Sequence, residues 1–293
     1  MITDNTRGIV WALLATLLFA IVAAMAKVAV KDYHVLQILF FRQIVVFISA
    51  LPSILQSFPG SLATSFPKLH AWRLVGAFVA LSCGIWAVSV LPLSTAITLG
   101  FAQVFFVTLL AAWFLGEQPG SRRLASVILG FLGVVIVMRP GVGGLVNVDS
   151  LIPLAGAAGA AIAIISVRRL SQTESTATLL IYQAVFVGVL AAIPLYWLWV
   201  TPDFEGCLFL LSIGVLASIG QWVGVKALRL GEASVVANIE YIKLVYAAIL
   251  GFIIFNEVPD KYTVIGAIVI VASAVSLYRL ELLAKTRADN RQP

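Results

Sequence analysis

Charged side chains are what this sequence has least of. Only 11% of its 293 residues are Asp, Glu, Lys or Arg, and 61% are hydrophobic, with a mean hydropathy of +1.07. Soluble domains are about 45–50% apolar and about 25% charged. A chain with so few polar side chains cannot shield its apolar surface from water, which excludes an ordinary soluble protein. We therefore expect the chain to be embedded in a lipid bilayer.

The sequence also lacks the residue patterns of several function classes. Its two cysteines, Cys83 and Cys207, lie in or at the edge of apolar segments, where small buried side chains are expected rather than a disulfide or a metal site. His34 and His70 are far apart, and no metal spacing, nucleophile elbow or phosphate loop occurs. The net charge of +6 comes from scattered basic residues, which does not indicate nucleic-acid binding. We expect no cofactor, no metal, no nucleic-acid partner and no enzyme activity.

Long apolar runs are what the sequence does contain. They cover approximately residues 8–28, 35–55, 72–91, 94–115, 123–139, 151–170, 176–200, 207–228, 234–256 and 262–280. Most approach the roughly 20 residues that a helix needs to cross a bilayer, and they lack the alternation typical of barrel strands. Their short connections carry turn residues. The sequence predicts an all-α integral membrane protein with ten transmembrane helices in one membrane domain, residues 1–293.

One short motif occurs twice. Residues 115–119 read Leu-Gly-Glu-Gln-Pro and residues 255–259 read Phe-Asn-Glu-Val-Pro, at an offset of 140, and each motif precedes an apolar run that ends at an arginine. Duplicated halves in an apolar chain are typical of transporters. We predict repeat one at residues 8–139 and repeat two at residues 150–280. The first run resembles a signal peptide, but because it has a counterpart in the second half we expect it to belong to repeat one.

The distribution of Lys and Arg predicts the orientation. If all ten runs cross the membrane, 13 basic residues fall on one side and 4 on the other, which places both termini in the cytoplasm and the protein in the cell inner membrane. Since each half has an odd number of spans, the second half enters the membrane inverted. Inverted halves have two nearly equivalent packings, each open to one side. This is the basis of alternating access around a midplane site for a small-molecule substrate. The sequence leaves a monomer and a dimer open.

The ninth run carries charge near the membrane midplane. Lys243 lies about nine residues into the run, and Glu240 lies three residues earlier on the same helix face. A charge at the bilayer centre costs roughly 2.5–3.5 kcal/mol, so such residues pair, face water or serve a function. We predict that Lys243 binds a substrate carboxylate or responds as Glu240 titrates; the alternative is a structural pair between them. Asn238, Tyr241 and Tyr246 add polar or aromatic groups to the same run.

Other candidate substrate-binding residues lie in the other spans. Arg42 is about seven residues into the second run, where it either binds substrate or snorkels to the interface. Gln103 occupies in repeat one the position of Lys243 in repeat two, and either hydrogen-bonds a zwitterion or ties two helices together. Aromatic and polar residues of the third and eighth runs either form cavity walls or join the interfacial belts. These residues are Ser82, Trp86, Gln221 and Trp222.

The carboxylates of the repeated motif, Glu117 and Glu257, fall on opposite membrane faces, which excludes shared acid–base chemistry. Each stands two residues before a proline at the start of the next helix. A carboxylate in that position can accept hydrogen bonds from the free N–H groups of the helix start. We therefore expect each of them to stabilise the turn that follows. The small-residue run at residues 155–161 predicts close helix packing.

Three stretches together resemble the ten-helix EamA-type members of the drug/metabolite transporter superfamily. They are residues 40–42 (Phe-Phe-Arg), residues 115–119, and residues 241–247 (Tyr-Ile-Lys-Leu-Val-Tyr-Ala) continuing to residue 259. The resemblance implies a central cavity lined by the third, fourth, eighth and ninth spans, with the first, second, sixth and seventh moving. It also implies export of amino acids or related metabolites, with YddG-like amino-acid exporters as the nearest branch.

These observations together predict a secondary transporter that exports small zwitterionic metabolites, with amino acids as the first candidates. The alternative is another small metabolite, drug or nucleotide-type cargo carried by a member of the same superfamily. A membrane enzyme would require clustered Asp, His or Ser on one membrane face, which the sequence lacks. A passive scaffold would leave the midplane charges unexplained.

Overall fold

A computed structural model describes residues 4–55, 64, 66–115, 121–138, 148–170, 173–230 and 239–289, and within these ranges the chain forms helices without strands. The helices are α1 Asp4–Ala29, α2 Val35–Leu55, α3 Pro67–Val90, α4 Leu93–Gly100, α5 Gln103–Leu115, α6 Ser121–Met138, α7 Leu151–Leu170, α8 Thr176–Leu198, α9 Phe204–Leu230, α10 Ile242–Phe255 and α11 Lys261–Asp289. The predicted all-α membrane fold is confirmed.

The helices have the length and composition of membrane spans. Among the described residues, seven segments are long and apolar enough to cross a bilayer, and three shorter apolar helices accompany them at Leu124–Met138, Ile242–Phe255 and Lys261–Ser276. One of the seven, Leu93–Ala111, consists of α4 and α5 in tandem. Large apolar side chains such as Ile253 and Ile268 are 69% and 64% exposed, which suits a surface in contact with lipid. The segments correspond to the ten apolar runs of the sequence.

The packing of the helices has approximate two-fold symmetry. At the repeat offset of about 140 residues, α1 corresponds to α7 and α3 corresponds to α9. Helix α1 packs against α9, and α7 packs against α3, so the same interface is built twice. Two further interfaces, α2 with α8 and α6 with α11, join helices that are each other's counterparts. The two repeats therefore interlock throughout instead of forming separate halves.

The α6–α11 interface shows this symmetry at atomic detail. A Cβ on Gly266 would lie 2.8 Å from the Gly133 carbonyl oxygen, so the two backbones approach closely. The Ser273 hydroxyl donates to the Ser126 carbonyl oxygen. An offset of 140 converts positions 126 and 133 into 266 and 273, so the two contacts are copies of one crossing.

Small residues also allow α3 and α7 to approach closely, as the run at residues 155–161 predicts. A Cβ on either Gly76 or Gly159 would lie 2.7 Å from the carbonyl oxygen of the other. Only glycine permits such an approach without displacing a backbone. This contact holds the start of repeat two against the third span, and other residues of both helices line the cavity described next.

Candidate functional site

A cavity of about 440 Å³ lies at the junction of the two repeats. It is bounded by α1, α2, α3, the tandem helices α4 and α5, α7, and the start of the α10 segment. Its polar lining residues are Thr16, Arg42, Gln103, Glu240 and Lys243. This volume falls within the roughly 300–1,000 Å³ of typical small-molecule sites.

The set of helices that lines the cavity differs in part from the set that the family resemblance implies. The third, fourth and ninth spans line it as expected. Among the described lining residues none comes from α9, the eighth span, whereas α1 and α7 contribute several. Helix α9 packs against α1, and α1 presents Thr16, Phe19 and Ala23 to the cavity instead.

Two matched tight turns meet beside the cavity. The fourth crossing bends between α4 and α5, where Val104 N donates to the Phe101 carbonyl at 3.1 Å. At an offset of 140, Leu244 N donates to the Tyr241 carbonyl at 3.0 Å. Bonds over three residues replace the α-helical pattern in both places. The Phe101 and Tyr241 rings have centroids 5.1 Å apart. Because these two residues are repeat counterparts in direct contact, they must flank the axis that relates the repeats.

The turns direct counterpart residues of both repeats to the cavity. Gly100 and Glu240 occupy equivalent positions, as do Gln103 and Lys243, and all four line the cavity. Repeat one thus contributes a glycine and an amide, whereas repeat two contributes a carboxylate and an ammonium. The two repeats therefore differ in charge at the point where they meet.

In the described part of the chain, the charged lining residues do not form ion-pair contacts with one another. Among the described residues, no ion pair within 4.0 Å joins Lys243 to Glu240, so the alternative of a structural pair between them is not formed. The Lys243 ammonium lies 5.8 Å from the centroid of the Phe19 ring. Arg42 lines the cavity with its Nε buried and without a hydrogen-bond partner, so it does not snorkel to the interface. Lys243 lies within electrostatic range of both Arg42 and Glu240.

The predicted aromatic walls are not part of this cavity. Trp86 and Trp222 are 51% and 76% exposed, and neither is among the residues that line it. Helix α3 presents its small and branched residues Gly84, Ala87 and Val88 to the cavity. Since each residue turns an α-helix by about 100°, Trp86 points elsewhere. Trp222 lies on α9, which stands behind α1.

Four further predicted residues, all of them described by the structure, also lie outside the cavity lining. The Ser82 hydroxyl donates to the Phe78 carbonyl of its own helix at 2.6 Å. Tyr241 packs on the Phe101 ring and supports the cavity from behind. Gln221 and Tyr246 do not line the cavity, and Asn238 lies outside the described residues. Of the predicted site residues, the structure brings four together: Arg42, Gln103, Glu240 and Lys243. Their role in substrate binding stays a prediction.

An ionic brace, defined as Lys27, Glu257, Leu91 and Leu93, joins the repeats at one end of the molecule. The Lys27 ammonium donates to Glu257 Oε1 at 2.5 Å and to the Leu91 carbonyl at 2.7 Å. Leu93 N donates to Glu257 Oε2 at 2.8 Å. Because Leu93 is the first residue of α4, the carboxylate satisfies a free N–H at the start of that helix. The brace fixes α1, α4 and the end of α10 to one another.

This contact corrects the expectation for Glu257. The start of α11 is instead capped by Asp260, whose Oδ1 accepts from Thr263 N at 2.8 Å. Asn256 has a left-handed backbone with φ 54°, and Glu257 N donates to the Gly251 carbonyl at 3.0 Å. This reversal at the end of α10 directs Glu257 toward α4. The counterpart Glu117 lies outside the described residues.

A buried polar cluster joins the repeats at the opposite end. His70 Nε2 and Glu174 Oε2 are 2.6 Å apart, and the Thr64 hydroxyl donates to Glu174 Oε1 at 2.6 Å. The His70 and Glu174 side chains are only 3% and 5% exposed. His70 lies in the first turn of α3. Arg73, one turn further, donates to the Leu179 carbonyl at 3.0 Å.

Comparison with curated proteins finds transporters over most of the chain. The S-adenosylmethionine uptake transporter of Rickettsia prowazekii is 28% identical, over 92% of this chain and 91% of that protein. The pseudopaline exporter CntI of Pseudomonas aeruginosa is 30% identical, over 95% and 99%. A riboflavin transporter of Vibrio cholerae is 27% identical, over 97% of both.

The fold and the family agree with these relatives. A crystal structure of another protein superposes with a TM-score of 0.62 at 17% identity, over 96% of this chain and 99% of that chain, which shows the fold. The model of the EamA-like transporter family matches twice, at residues 6–139 and 149–279, once for each repeat. This chain therefore belongs to the EamA-like transporter family.

Proposed function

We propose that this protein, a multi-pass membrane transporter of small metabolites and not an enzyme, exports zwitterionic metabolites, with amino acids as the first candidates. The observation that carries the proposal is the set of cavity charges that form no ion-pair contact within the described part of the chain. Arg42 and Lys243 provide cations for a carboxylate, and Glu240 provides an anion for an ammonium group. Gln103 adds an amide that can hydrogen-bond either group.

The rest of the lining suits an apolar side chain. Phe19, Ile85, Val88 and Ile97 surround the charged residues. Ligand sites commonly combine apolar walls with a few polar groups that fix orientation. The polar lining residues would therefore bind the charged head group of the cargo, and the apolar walls would accept side chains of different shape.

The inverted repeats support alternating access as the mechanism. We propose that both termini are cytoplasmic, because the basic residues are concentrated on that side. Interlocked repeats with a shared axis can exchange conformations, and the cavity then opens to the other side. Export is supported by the resemblance to amino-acid exporters and by the pseudopaline exporter among the relatives.

A second candidate is a larger cargo, which the cavity volume of about 440 Å³ favours. The relatives named for S-adenosylmethionine and for riboflavin also support it. In this case the four polar residues would still bind the head group, and the apolar walls would enclose a larger body.

The test is transport by the purified protein in liposomes. A panel of labelled amino acids, S-adenosylmethionine and riboflavin is offered with and without an imposed pH gradient. Lys243→Ala should slow transport of the preferred zwitterion by about tenfold or more, since hydrogen bonds to charged groups contribute about 1.5–3 kcal/mol. Lys31→Ala, at an exposed loop position, is the control and should transport normally.

Two results would contradict the proposal. If Lys243→Ala transports at the normal rate, the lysine does not bind the substrate. If riboflavin moves and no zwitterion does, the assigned substrate class is wrong. Transport that ignores the pH gradient would exclude proton coupling and leave facilitated diffusion.

A further inference from the structure

The charges of the cavity are unequal in number, and the proposed function does not use this inequality. Among the described lining residues, Arg42 and Lys243 are cationic and Glu240 is anionic. A simple amino acid carries one carboxylate and one ammonium group. If such a zwitterion paired with Lys243 and Glu240, the Arg42 guanidinium would remain without a counter-charge.

No carboxylate among the described residues neutralises the second cation. Arg42 Nε is buried without a hydrogen-bond partner, and in the described part of the chain no carboxylate lies within 4.0 Å of the Arg42 guanidinium. Arg42 and Lys243 are close enough to repel each other. An uncompensated charge away from bulk water is costly, and the cost is removed when a ligand supplies the opposite charge. The site is therefore complementary to a ligand with one more anionic group than cationic groups.

We infer that the cavity selects cargo with two acidic groups, one ammonium group and an apolar body. This inference rests on the proposed transport of zwitterions and narrows their class. The two acidic groups would face Arg42 and Lys243, and the ammonium group would face Glu240. Arginine binds carboxylates and phosphates equally well as a fork of donors, so the second acid is either a carboxylate or a phosphate.

The apolar body follows from the remaining walls. Ile85, Val88, Ile97 and Phe101 line the cavity together with the charged residues. Aspartate itself would fill only the charged part of a cavity of about 440 Å³. A ligand that also carries an aromatic or branched group would bury additional apolar area and bind more tightly.

Matched probes test the charge requirement directly. Aspartyl-phenylalanine and asparaginyl-phenylalanine have nearly the same shape, and they differ by one negative charge. Binding to the purified protein is measured by calorimetry, and competition is measured against a transported amino acid in liposomes. We expect aspartyl-phenylalanine to bind at least about tenfold more tightly than asparaginyl-phenylalanine, because the second ligand lacks one charge-assisted contact. Aspartate and O-phosphoserine form a second comparison, which identifies the preferred acid.

Variants assign the preference to Arg42. In Arg42→Gln the ratio of the two dipeptides' dissociation constants should fall to about one. Arg42→Lys should retain part of the preference, because the charge is kept. Lys31→Gln, outside the cavity, should leave the ratio unchanged. If the wild-type protein transports simple zwitterions but binds both dipeptides equally, the inference is wrong and the proposed function stands. If no zwitterion binds or moves, the proposed function fails, and the inference fails with it.

Discussion

The ionic brace makes a quantitative prediction about stability. Glu257→Gln keeps an oxygen that can accept from Leu93 N but removes the negative charge opposite Lys27. The Lys27 and Glu257 side chains are 12% and 23% exposed, so water can replace the lost partner only in part. Removing one partner of a buried pair costs about 3–5 kcal/mol, and hydrogen bonds to charged groups contribute about 1.5–3 kcal/mol. Since Lys27 still donates to the Leu91 carbonyl, we expect Glu257→Gln to lower the free energy of unfolding by the smaller of these amounts, about 1.5–3 kcal/mol.

The measurement is a double-mutant cycle. Glu257→Gln, Lys27→Met and the double variant are compared by equilibrium unfolding in mixed micelles, with Lys31→Met as the exposed control. If the contact is formed, each single variant should be destabilised, and the double variant should be less destabilised than the sum. The expected coupling energy is about 1–3 kcal/mol, within the range found for residues in direct contact. If the two effects add to within about 0.5 kcal/mol, the residues are not coupled and the brace does not contribute.

Three further predictions concern other contacts of the fold. Gly76→Ala should destabilise the protein by about 1–3 kcal/mol, because its Cβ would lie 2.7 Å from a backbone oxygen of α7. The control is Gly84→Ala on the same helix, whose Cβ meets nothing within 4 Å and which should be neutral in thermal unfolding. Glu174→Ala should lower the melting temperature, because it leaves the buried His70 without its partner; an unchanged melting temperature would refute the importance of the polar cluster. Asn256→Gly should preserve stability, whereas Asn256→Val should lose about 1–2 kcal/mol, because Gly and Asx residues tolerate a φ of 54° and β-branched residues do not. Equal stability of the two variants would contradict this.

The sequence predicted the features that depend on length and offset. The apolar runs indicated the crossings, because a bilayer requires about 20 apolar residues per helix. The offset of 140 identified Gln103 and Lys243 as counterparts, and both line the cavity. Glu240 and Lys243, at the centre of an apolar span, indicated the cavity, because a charge inside the bilayer is costly unless it is paired, hydrated or functional.

The orientation of the helices was less accessible to sequence reasoning. In water, the polar face of a helix identifies its outer side, but a helix in lipid is apolar on every face. Residue type alone therefore leaves Trp86 and Trp222 open between a cavity wall and an interfacial belt, and the rotation of α3 and α9 places them outside the cavity lining.

The partner of Glu257 was not predictable from its neighbours in the chain. Its contacts are Lys27, 230 positions away, and Leu93, 164 positions away. The local motif indicated a cap for the next helix, and the same carboxylate caps α4 instead. A signal was nevertheless present, because Lys27 lies at the end of the first apolar run, where a charged side chain can pair with another charge.

The contact between Phe101 and Tyr241 has a consequence for the energetics of switching. In the proposed cycle each repeat adopts the conformation of the other, so each residue exchanges its environment with its counterpart. A contact between two counterparts is then present in both states, and its energy cancels from the difference between them. Substitutions at this pair should change the stability of the whole protein and leave the balance of inward and outward states nearly unaltered. The Lys27–Glu257 contact joins residues that are not each other's counterparts, so its energy does not cancel in this way and contributes to the difference between the two states.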